Sequence, residues 1–231
     1  MIKTVLLIVA AFAALMPVLV QKTGLSAKYG FSMKMLCAFM YRATGVLAAV
    51  AYNAATLYTC FVFAALLFGV LGDFFISYKQ DKYFLSGVLF FALGHIVYSI
   101  AFLGAGAYKA VQHIIPVAAV SVCIALFLFV IMKTRLQLGK LQIPLVIYAA
   151  ILFFFFACAV TKGILAFAAG NLPFGLLVMA GGVLFIASDL MLGMRIGGVK
   201  LPKPLRHAVS YTYFPAQTLF ALSIFFQTII N

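Results

Sequence analysis

Two aspartates, Asp73 and Asp189, lie inside long apolar runs of the sequence. An ionisable side chain in a membrane-spanning helix costs about 2.5–3.5 kcal/mol on insertion scales, and such a residue marks a functional site by default. Asp73 lies six residues before Lys79, and Asp189 lies six residues before Arg195. At a rise of about 1.5 Å per helical residue, each carboxylate lies roughly 9 Å inward from a basic loop. The spacing therefore predicts two acids in one layer.

Two carboxylates at one depth can work as an acid and a base. In a low-dielectric site such a pair tends to share one proton, so that one acid is neutral while the other is ionised. The alternative is structural: each aspartate would bond a nearby basic residue, Lys79 for Asp73 and Arg195 for Asp189. The third acid, Asp81, lies in a loop between two lysines and is interpreted as a solvated charge.

Other polar residues lie in the same half of the predicted bundle. Arg42 is placed to pair with a carboxylate or to hold a phosphate. A side chain that extends its charge toward the membrane–water interface explains an arginine at this depth equally well. His95 lies mid-span with Tyr98 one helical turn later, and either bonds another helix or belongs to the site. Tyr213 fits an interfacial aromatic residue or a site residue, and Gln217 lies deeper, where its amide needs hydrogen-bond partners.

Metal and covalent chemistry find little support in the sequence. The three histidines lie on separate segments without the HxxxH or HExxH spacing of a zinc site, so neither a metal nor another cofactor is predicted. Ser188 lies outside any nucleophile-elbow motif and is interpreted as a small helix-packing residue. The four cysteines lie in apolar stretches without CxxC spacing and are interpreted as buried hydrophobes.

Glycines mark two predicted faces of close helix packing. Gly69 and Gly72 lie on the span of Asp73, and the pair Gly181 and Gly182 lies on the span of Asp189. Small residues let membrane helices approach one another closely. We therefore expect these faces to bring the two acids together.

The overall composition excludes a soluble protein. Of the 231 residues, 67% are hydrophobic and only 8% are charged, against about 45–50% and roughly 25% in ordinary globular domains. A bilayer core of about 30 Å requires roughly 20 apolar residues per helix. We therefore predict one all-α transmembrane domain, residues 1–231, with eight transmembrane helices in one bundle. The predicted spans are approximately 2–21, 34–52, 55–77, 83–104, 112–132, 142–160, 172–194 and 207–230.

The basic residues are distributed asymmetrically. Sixteen Lys and Arg residues against three acids give a formal net charge of +13, and twelve of the sixteen lie in the loops after spans one, three, five and seven. Topology and anionic lipid headgroups account for such loop charges, so nucleic acid is not a predicted partner. The positive-inside rule predicts a multi-pass protein of the bacterial inner membrane with both termini non-cytoplasmic. Membrane lipids are the expected surroundings, and no protein partner is predicted.

An ordered set of motifs runs through the spans. Its members are Gly72-Asp73, Gly87, Phe91, Gly94-His95, Tyr98, Phe102, Tyr148, Phe185-Ile186-Ala187-Ser188-Asp189, Tyr213 and Gln217. A Gly-Asp or Ser-Asp pair alone carries little weight, but the order of the whole set is fairly specific. The chain thus resembles the YhhN-like family of integral membrane proteins, which includes the lysoplasmalogenases, over roughly residues 33–225.

The resemblance implies a hydrolase of lysophospholipids that acts without metal. Lysoplasmalogenases cleave the vinyl ether of a 1-alkenyl glycerophospholipid with one chain, giving a fatty aldehyde and glycerophosphoethanolamine or glycerophosphocholine. It implies Asp73 and Asp189 as the catalytic acid and base, in either order. The residues implied to orient the water or the ether oxygen are His95, Tyr98, Tyr213 and Gln217. Arg42 and Arg195 would hold the phosphate.

Two other functions fit the same residues. Paired intramembrane acids also mark proton relays, so a proton-coupled transporter is an alternative, although no broken-helix repeat is visible. A hydrolase of other lysophospholipids is the second alternative. The two intramembrane aspartates argue against a purely structural protein.

Overall fold

A computed structural model describes residues 2–23, 25–53, 55–78, 81–104, 118–127, 130, 141–198 and 202–227. Within these ranges the regular structure is helical, as predicted, and no strand is present. The helices are α1 (Ile2–Lys22), α2 (Leu25–Tyr52), α3 (Leu57–Ile76), α4 (Asp81–Leu103), α5 (Ala118–Phe127), α6 (Gln142–Ala168), α7 (Leu172–Ile196) and α8 (Lys203–Phe226).

Six of these helices, namely α1, α2, α3, α4, α6 and α7, are long and apolar enough to cross a membrane. This confirms a multi-pass membrane protein and supports six of the eight predicted spans. The predicted span 112–132 lies largely outside the described residues, of which α5 covers 118–127. The other predicted span, α8, has sufficient length, but its tyrosines, threonines and Gln217 make it less apolar than the rest.

Two helices are longer than the apolar runs that predicted them. α2 begins at Leu25, before the predicted start at residue 34, and α6 continues to Ala168, past the predicted end at residue 160. Hydropathy detects the part of a helix that fits the hydrocarbon core, whereas the backbone hydrogen bonds continue into the interface. Because of the extension, Lys34, the first residue of the predicted span, lies inside α2 and not at its start.

Contacts between helix ends define the two ends of the bundle. At one end, the ammonium of Lys3 lies 5.6 Å from the centroid of the Phe225 ring, and Thr56 donates a hydrogen bond of 2.6 Å to Gln227. The start of α1, the start of α3 and the end of α8 are therefore together. At the other end lie the C-terminal turns of α3 and α7, which carry Asp73 and Arg195. The aspartates lie in the half nearer this second end, as their sequence spacing predicts.

The helix α8 lies inside the bundle and contacts α1, α2, α3 and α7. Its Phe220 is fully buried in an aromatic cluster, with ring centroids 4.7 Å from Tyr98, 5.7 Å from Phe155 and 6.3 Å from Phe185. These tilted, edge-to-face and stacked contacts stabilise packing beyond the burial of area. The polar composition of α8 is compatible with a membrane because neighbouring helices enclose it.

The predicted glycine faces are sites of close packing. A Cβ atom at Gly72 would lie 2.7 Å from the Phe91 ring of α4, and one at Gly181 would lie 2.6 Å from the Phe220 ring of α8. A Cβ atom at Gly69 would lie 2.6 Å from Nε2 of Gln217. These glycines therefore let α3 and α7 approach the helices that complete the site.

Candidate active site

Asp73 lies near the C-terminal end of α3, with a side chain only 3% exposed. Its Oδ1 forms an ion pair of 3.0 Å with Nζ of Lys34, and its Oδ2 accepts a hydrogen bond of 2.9 Å from the hydroxyl of Tyr213. Lys34 also donates to the backbone carbonyl of Asp73 at 3.1 Å. The carboxylate is therefore fixed at both oxygens by side chains from α2 and α8.

Lys34 is a site residue that sequence reasoning missed. In the sequence it is only one of the twelve basic residues of the loops, at the start of the second predicted span. The structural alternative for Asp73 named Lys79, which lies outside the described residues. Lys34 is 39 residues from Asp73 in the chain, so only the packing of α2 against α3 and α8 brings the two together.

A chain of hydrogen bonds leads from Asp73 into the core. The Gln217 amide donates to the hydroxyl of Tyr213 at 3.2 Å, and the hydroxyl of Tyr98 donates to Oε1 of Gln217 at 2.6 Å. Tyr98 and Gln217 are fully buried. The structure thus brings Tyr213 to the carboxylate, and it places Tyr98 and Gln217 behind Tyr213, where they orient its hydroxyl.

Asp189 of α7 has a different set of partners. Its Oδ2 accepts a short hydrogen bond from the hydroxyl of Tyr148 on α6, and Nε2 of His95 on α4 lies 3.2 Å from the same oxygen. Nε2 of His95 is also 3.0 Å from the Tyr148 hydroxyl. His95 was a predicted site residue, whereas Tyr148 was noted only as a motif position. Three helices therefore meet at Oδ2 of Asp189.

Aromatic rings hold the imidazole of His95 in place. It stacks on Phe155 with a centroid distance of 4.8 Å and an interplanar angle of 23°. The ring of Phe185 meets it edge-on, also at 4.8 Å. Because His95 and its aromatic neighbours are buried, the ring has one packed orientation from which Nε2 reaches Asp189.

Both carboxylates line one cavity of about 230 Å³ near the basic end of the bundle. Its polar lining residues are Lys34, Asp73, Ser188, Asp189, Arg195, Ser210 and Tyr213. Within the described residues no hydrogen bond joins Asp73 to Asp189, and each is held by its own partners. The two acids therefore line one shared space without contacting each other through a hydrogen bond. We call this space the polar cavity.

A second cavity, of about 350 Å³, lies between the C-terminal end of α3, the first half of α4 and the helices α5, α6 and α7. Its lining is apolar apart from Tyr148, Asp189 and the thiol of Cys123. We call it the apolar cavity. The two cavities share four lining residues, Ile76, Phe91, Asp189 and Leu192. Of these four described residues, Asp189 alone is ionisable, and it lies between a charged compartment and a hydrocarbon-like one.

Three further residues that the sequence singles out are Arg195, Arg42 and Ser188, and none of their side chains forms an ion pair or hydrogen bond with either aspartate in the described part of the chain. Arg195 is exposed and lines the polar cavity, and among the described residues it forms no ion pair with Asp189. Arg42 lines neither cavity, and its Nη1 is buried without a partner within the described part of the chain. The Ser188 hydroxyl donates to the carbonyl of Val209 at 3.1 Å, which is the helix-packing role predicted for it.

Metal ligands do not converge in the described ranges. No group of three or more His, Cys, Asp or Glu side chains is placed there to hold an ion. His113 lies outside those ranges.

The sequence model of the YhhN family matches residues 27–224, which is most of the chain. The chain therefore belongs to the YhhN family, as the order of its motifs predicts. Among curated proteins and among solved structures, no significant match to the chain is found.

Proposed function

Because the chain belongs to the YhhN family, we propose that it is a membrane-embedded hydrolase of the lysoplasmalogenase type. It would cleave the vinyl ether of a 1-alkenyl glycerophospholipid that carries a single chain. The observation that carries this proposal is the position of Asp189, which lies where the polar and apolar cavities meet. The bond to be cleaved in such a lipid also lies where its polar and apolar parts meet.

The two cavities match the two halves of this substrate. The hydrocarbon chain would lie in the apolar cavity, where its burial is favourable. The phosphate would lie in the polar cavity, near the guanidinium of Arg195, which can bind a phosphate through two parallel hydrogen bonds. A lipid in this orientation presents its vinyl ether to Asp189 and Asp73.

The orientation assigns roles to the two acids. In an alkenyl ether, the carbon that must be protonated lies on the chain side of the ether, and the ether oxygen lies on the headgroup side. Asp189 lines both cavities, whereas Asp73 lines only the polar one. Asp189 would therefore be the general acid, and Asp73, the anionic partner of Lys34, would be the general base.

The reaction then follows in two stages. Asp189 gives its proton to the second carbon of the alkenyl chain, and an oxocarbenium ion forms between the first carbon and the ether oxygen. The carboxylate of Asp73 stabilises this cation and takes a proton from the water that attacks the first carbon. The product of this stage is a hemiacetal, with Asp73 protonated and Asp189 ionised.

Collapse of the hemiacetal restores both groups. Asp189 takes the proton of the hemiacetal hydroxyl as the carbonyl forms, and Asp73 gives its proton to the leaving glycerol oxygen. A fatty aldehyde and a glycerophospho-headgroup result. Both carboxyl groups end the turnover in the protonation state in which they began, so the water supplies the two hydrogens that the products gain, one on carbon and one on the glycerol oxygen.

The neighbouring side chains support these roles by fixing each acid. Tyr148 and His95 contact Oδ2 of Asp189, so Oδ1 is the oxygen available to the substrate. Tyr213 and Lys34 hold the two oxygens of Asp73. Preorganised groups of this kind lower the barrier because they need no rearrangement during the reaction.

Detergent-purified protein incubated with alkenyl, alkyl and acyl lysolipids tests the proposal. Aldehyde is expected from the alkenyl lipid alone. In D₂O, the aldehyde is expected to carry one deuterium at the carbon next to the carbonyl, because the first step protonates that carbon. Release of fatty acid from the acyl lipid without aldehyde would instead support a hydrolase of other lysophospholipids. Absence of any hydrolysis, with proton-coupled uptake into liposomes, would support a transporter.

A further inference from the structure

We infer that Gly193 of α7 determines which hydrocarbon chains the site accepts, because its missing side chain leaves open the apolar cavity next to Asp189. This inference rests on the proposed function, since it takes the occupant of the cavity to be the single chain of the lysolipid substrate. Gly193 lines the apolar cavity. It follows Asp189 by four residues on α7, so both residues lie on one face of the helix.

Helix packing does not account for a glycine at position 193. A Cβ atom at Gly72 or Gly181 would lie within 3.0 Å of a packed aromatic ring, so close approach of helices explains those glycines. Among the described residues, a Cβ atom at Gly193 would meet no atom within 4 Å. The space beside Gly193 is therefore cavity, and any larger side chain there would extend into it.

The size of the apolar cavity favours one chain as its occupant. A water-sized group takes up about 30 Å³, so a cavity of about 350 Å³ holds on the order of ten methylene groups. That volume fits a large part of a single long chain and is too small for two. The hydrocarbon chain would have one orientation, with its headgroup end toward the polar cavity, because the charged groups Lys34 and Arg195 line only that cavity.

The first test measures how turnover depends on chain length. Wild-type protein and the variants Gly193→Ala, Gly193→Leu and Gly193→Phe are assayed with short-chain and long-chain alkenyl lysolipids. KM for the long chain is expected to rise in that order, by about tenfold or more for Gly193→Phe, with a much smaller change for the short chain. Gly30→Phe is the matched control, because a Cβ atom at Gly30 also meets no described atom within 4 Å and Gly30 lines neither cavity.

The second test needs no turnover. Cys123 lines the apolar cavity, and the exposed Cys60 is removed by Cys60→Ser. An alkyl lysolipid, which lacks the vinyl ether, is expected to slow alkylation of Cys123 by an apolar maleimide in the protein that carries Cys60→Ser and keeps Gly193. The same lipid is expected to give at least severalfold less protection in Gly193→Phe.

The two tests separate this inference from the proposed reaction. The lipid could protect Cys123 in a way that depends on Gly193 while no alkenyl lipid yields aldehyde. That outcome would overturn the proposed reaction and would still support a hydrocarbon-chain site beside Gly193. Aldehyde formation with the same chain-length profile in wild-type protein and Gly193→Phe would overturn the role of Gly193. An equal loss of kcat for short and long chains would also overturn it, since that result would place the effect on Asp189 itself.

Discussion

Buried polar clusters lie at both ends of this bundle, and they differ in charge and in empty space. At the end near the start of α3, Thr56 donates to Gln227 at 2.6 Å, and Gln227 donates to Thr59 at 2.8 Å. Beside them, the hydroxyls of Tyr58 and Ser223 are 2.6 Å apart. We call these five residues the threonine–glutamine cluster. Every one of them is uncharged at neutral pH, and their hydrogen bonds are made to one another or to the nearby backbone.

The cluster at the basic end contains two carboxylates, a lysine and a histidine, and a cavity of about 230 Å³ opens beside them. The threonine–glutamine cluster lines neither of the two cavities described above. Buried hydrogen bonding by itself therefore indicates helix docking in this protein. Ionisable groups combined with empty volume are what indicate chemistry, because a substrate needs both a reacting group and a place to bind.

If chemistry takes place only at the basic end, the largest losses of activity are expected there, from Asp189→Asn and Asp73→Asn. Each substitution should lower vinyl-ether cleavage by about 10²–10⁴-fold, because an amide can neither deliver a proton nor balance an oxocarbenium ion. Aldehyde release by purified protein measures the effect. Both variants should fold, because asparagine keeps the shape of aspartate and Lys34, whose side chain is 28% exposed, can turn its ammonium toward water.

Asp81→Asn is the matched control and should be silent, because Asp81 opens α4 outside the site. Near-normal turnover in either site variant would contradict the catalytic roles. So would loss of activity only through unfolding, since a purely structural buried pair loses about 3–5 kcal/mol when one partner is removed.

Tyr148→Phe should lower kcat by up to about 10²-fold, because Asp189 would lose the hydroxyl that orients its Oδ2. Tyr148 is a positioning residue in this proposal, so KM for the alkenyl lysolipid and the melting temperature should change little. Tyr58→Phe is the matched control, since it removes a buried hydroxyl from the threonine–glutamine cluster. A change in melting temperature with unchanged kcat for Tyr148→Phe would show that the Tyr148 hydroxyl stabilises the fold and does not contribute to catalysis.

Arg195→Gln should raise KM for the alkenyl lysolipid by about two- to fivefold with little change in kcat, because an exposed charge contributes about 0.2–1 kcal/mol to an ionic contact. The effect should shrink as salt is added. Kinetics at low and high ionic strength measure it. Arg42→Gln is the comparison, since Arg42 lines neither cavity. A larger rise in KM for Arg42→Gln than for Arg195→Gln would indicate that Arg42, and not Arg195, binds the phosphate.

The smallest effect on activity is expected from Gln227→Leu. This change leaves the hydroxyls of Thr56 and Thr59 without their amide partner and should lower the free energy of unfolding by about 1–3 kcal/mol. Thermal unfolding in detergent measures that loss, and kcat at a temperature well below the transition should stay near the wild-type value. A large fall in kcat in the folded variant would show that the two ends of the bundle are coupled.

The class of protein and the depth of its two acids were predictable from the sequence. Composition decides whether a helix is stable in lipid, and the fixed rise of a helix converts residue spacing into depth, so neither inference needs a partner helix. His95, Tyr213 and the glycine faces were also predicted, because polar and small residues are conspicuous in apolar runs. Each of them contacts the site or a helix that builds it.

The partners of the acids were decided by packing. Lys34 reaches Asp73, and Tyr148 reaches Asp189, from helices far away in the chain. Arg42, which lies on the same helix as Lys34, lines neither cavity. Rotation of each helix about its axis and the gaps between helices select these contacts, and both depend on the joint fit of all the neighbouring side chains. No periodicity within a single helix carries that information, so the cavities at Asp189 and the open space beside Gly193 exist only in the assembled bundle.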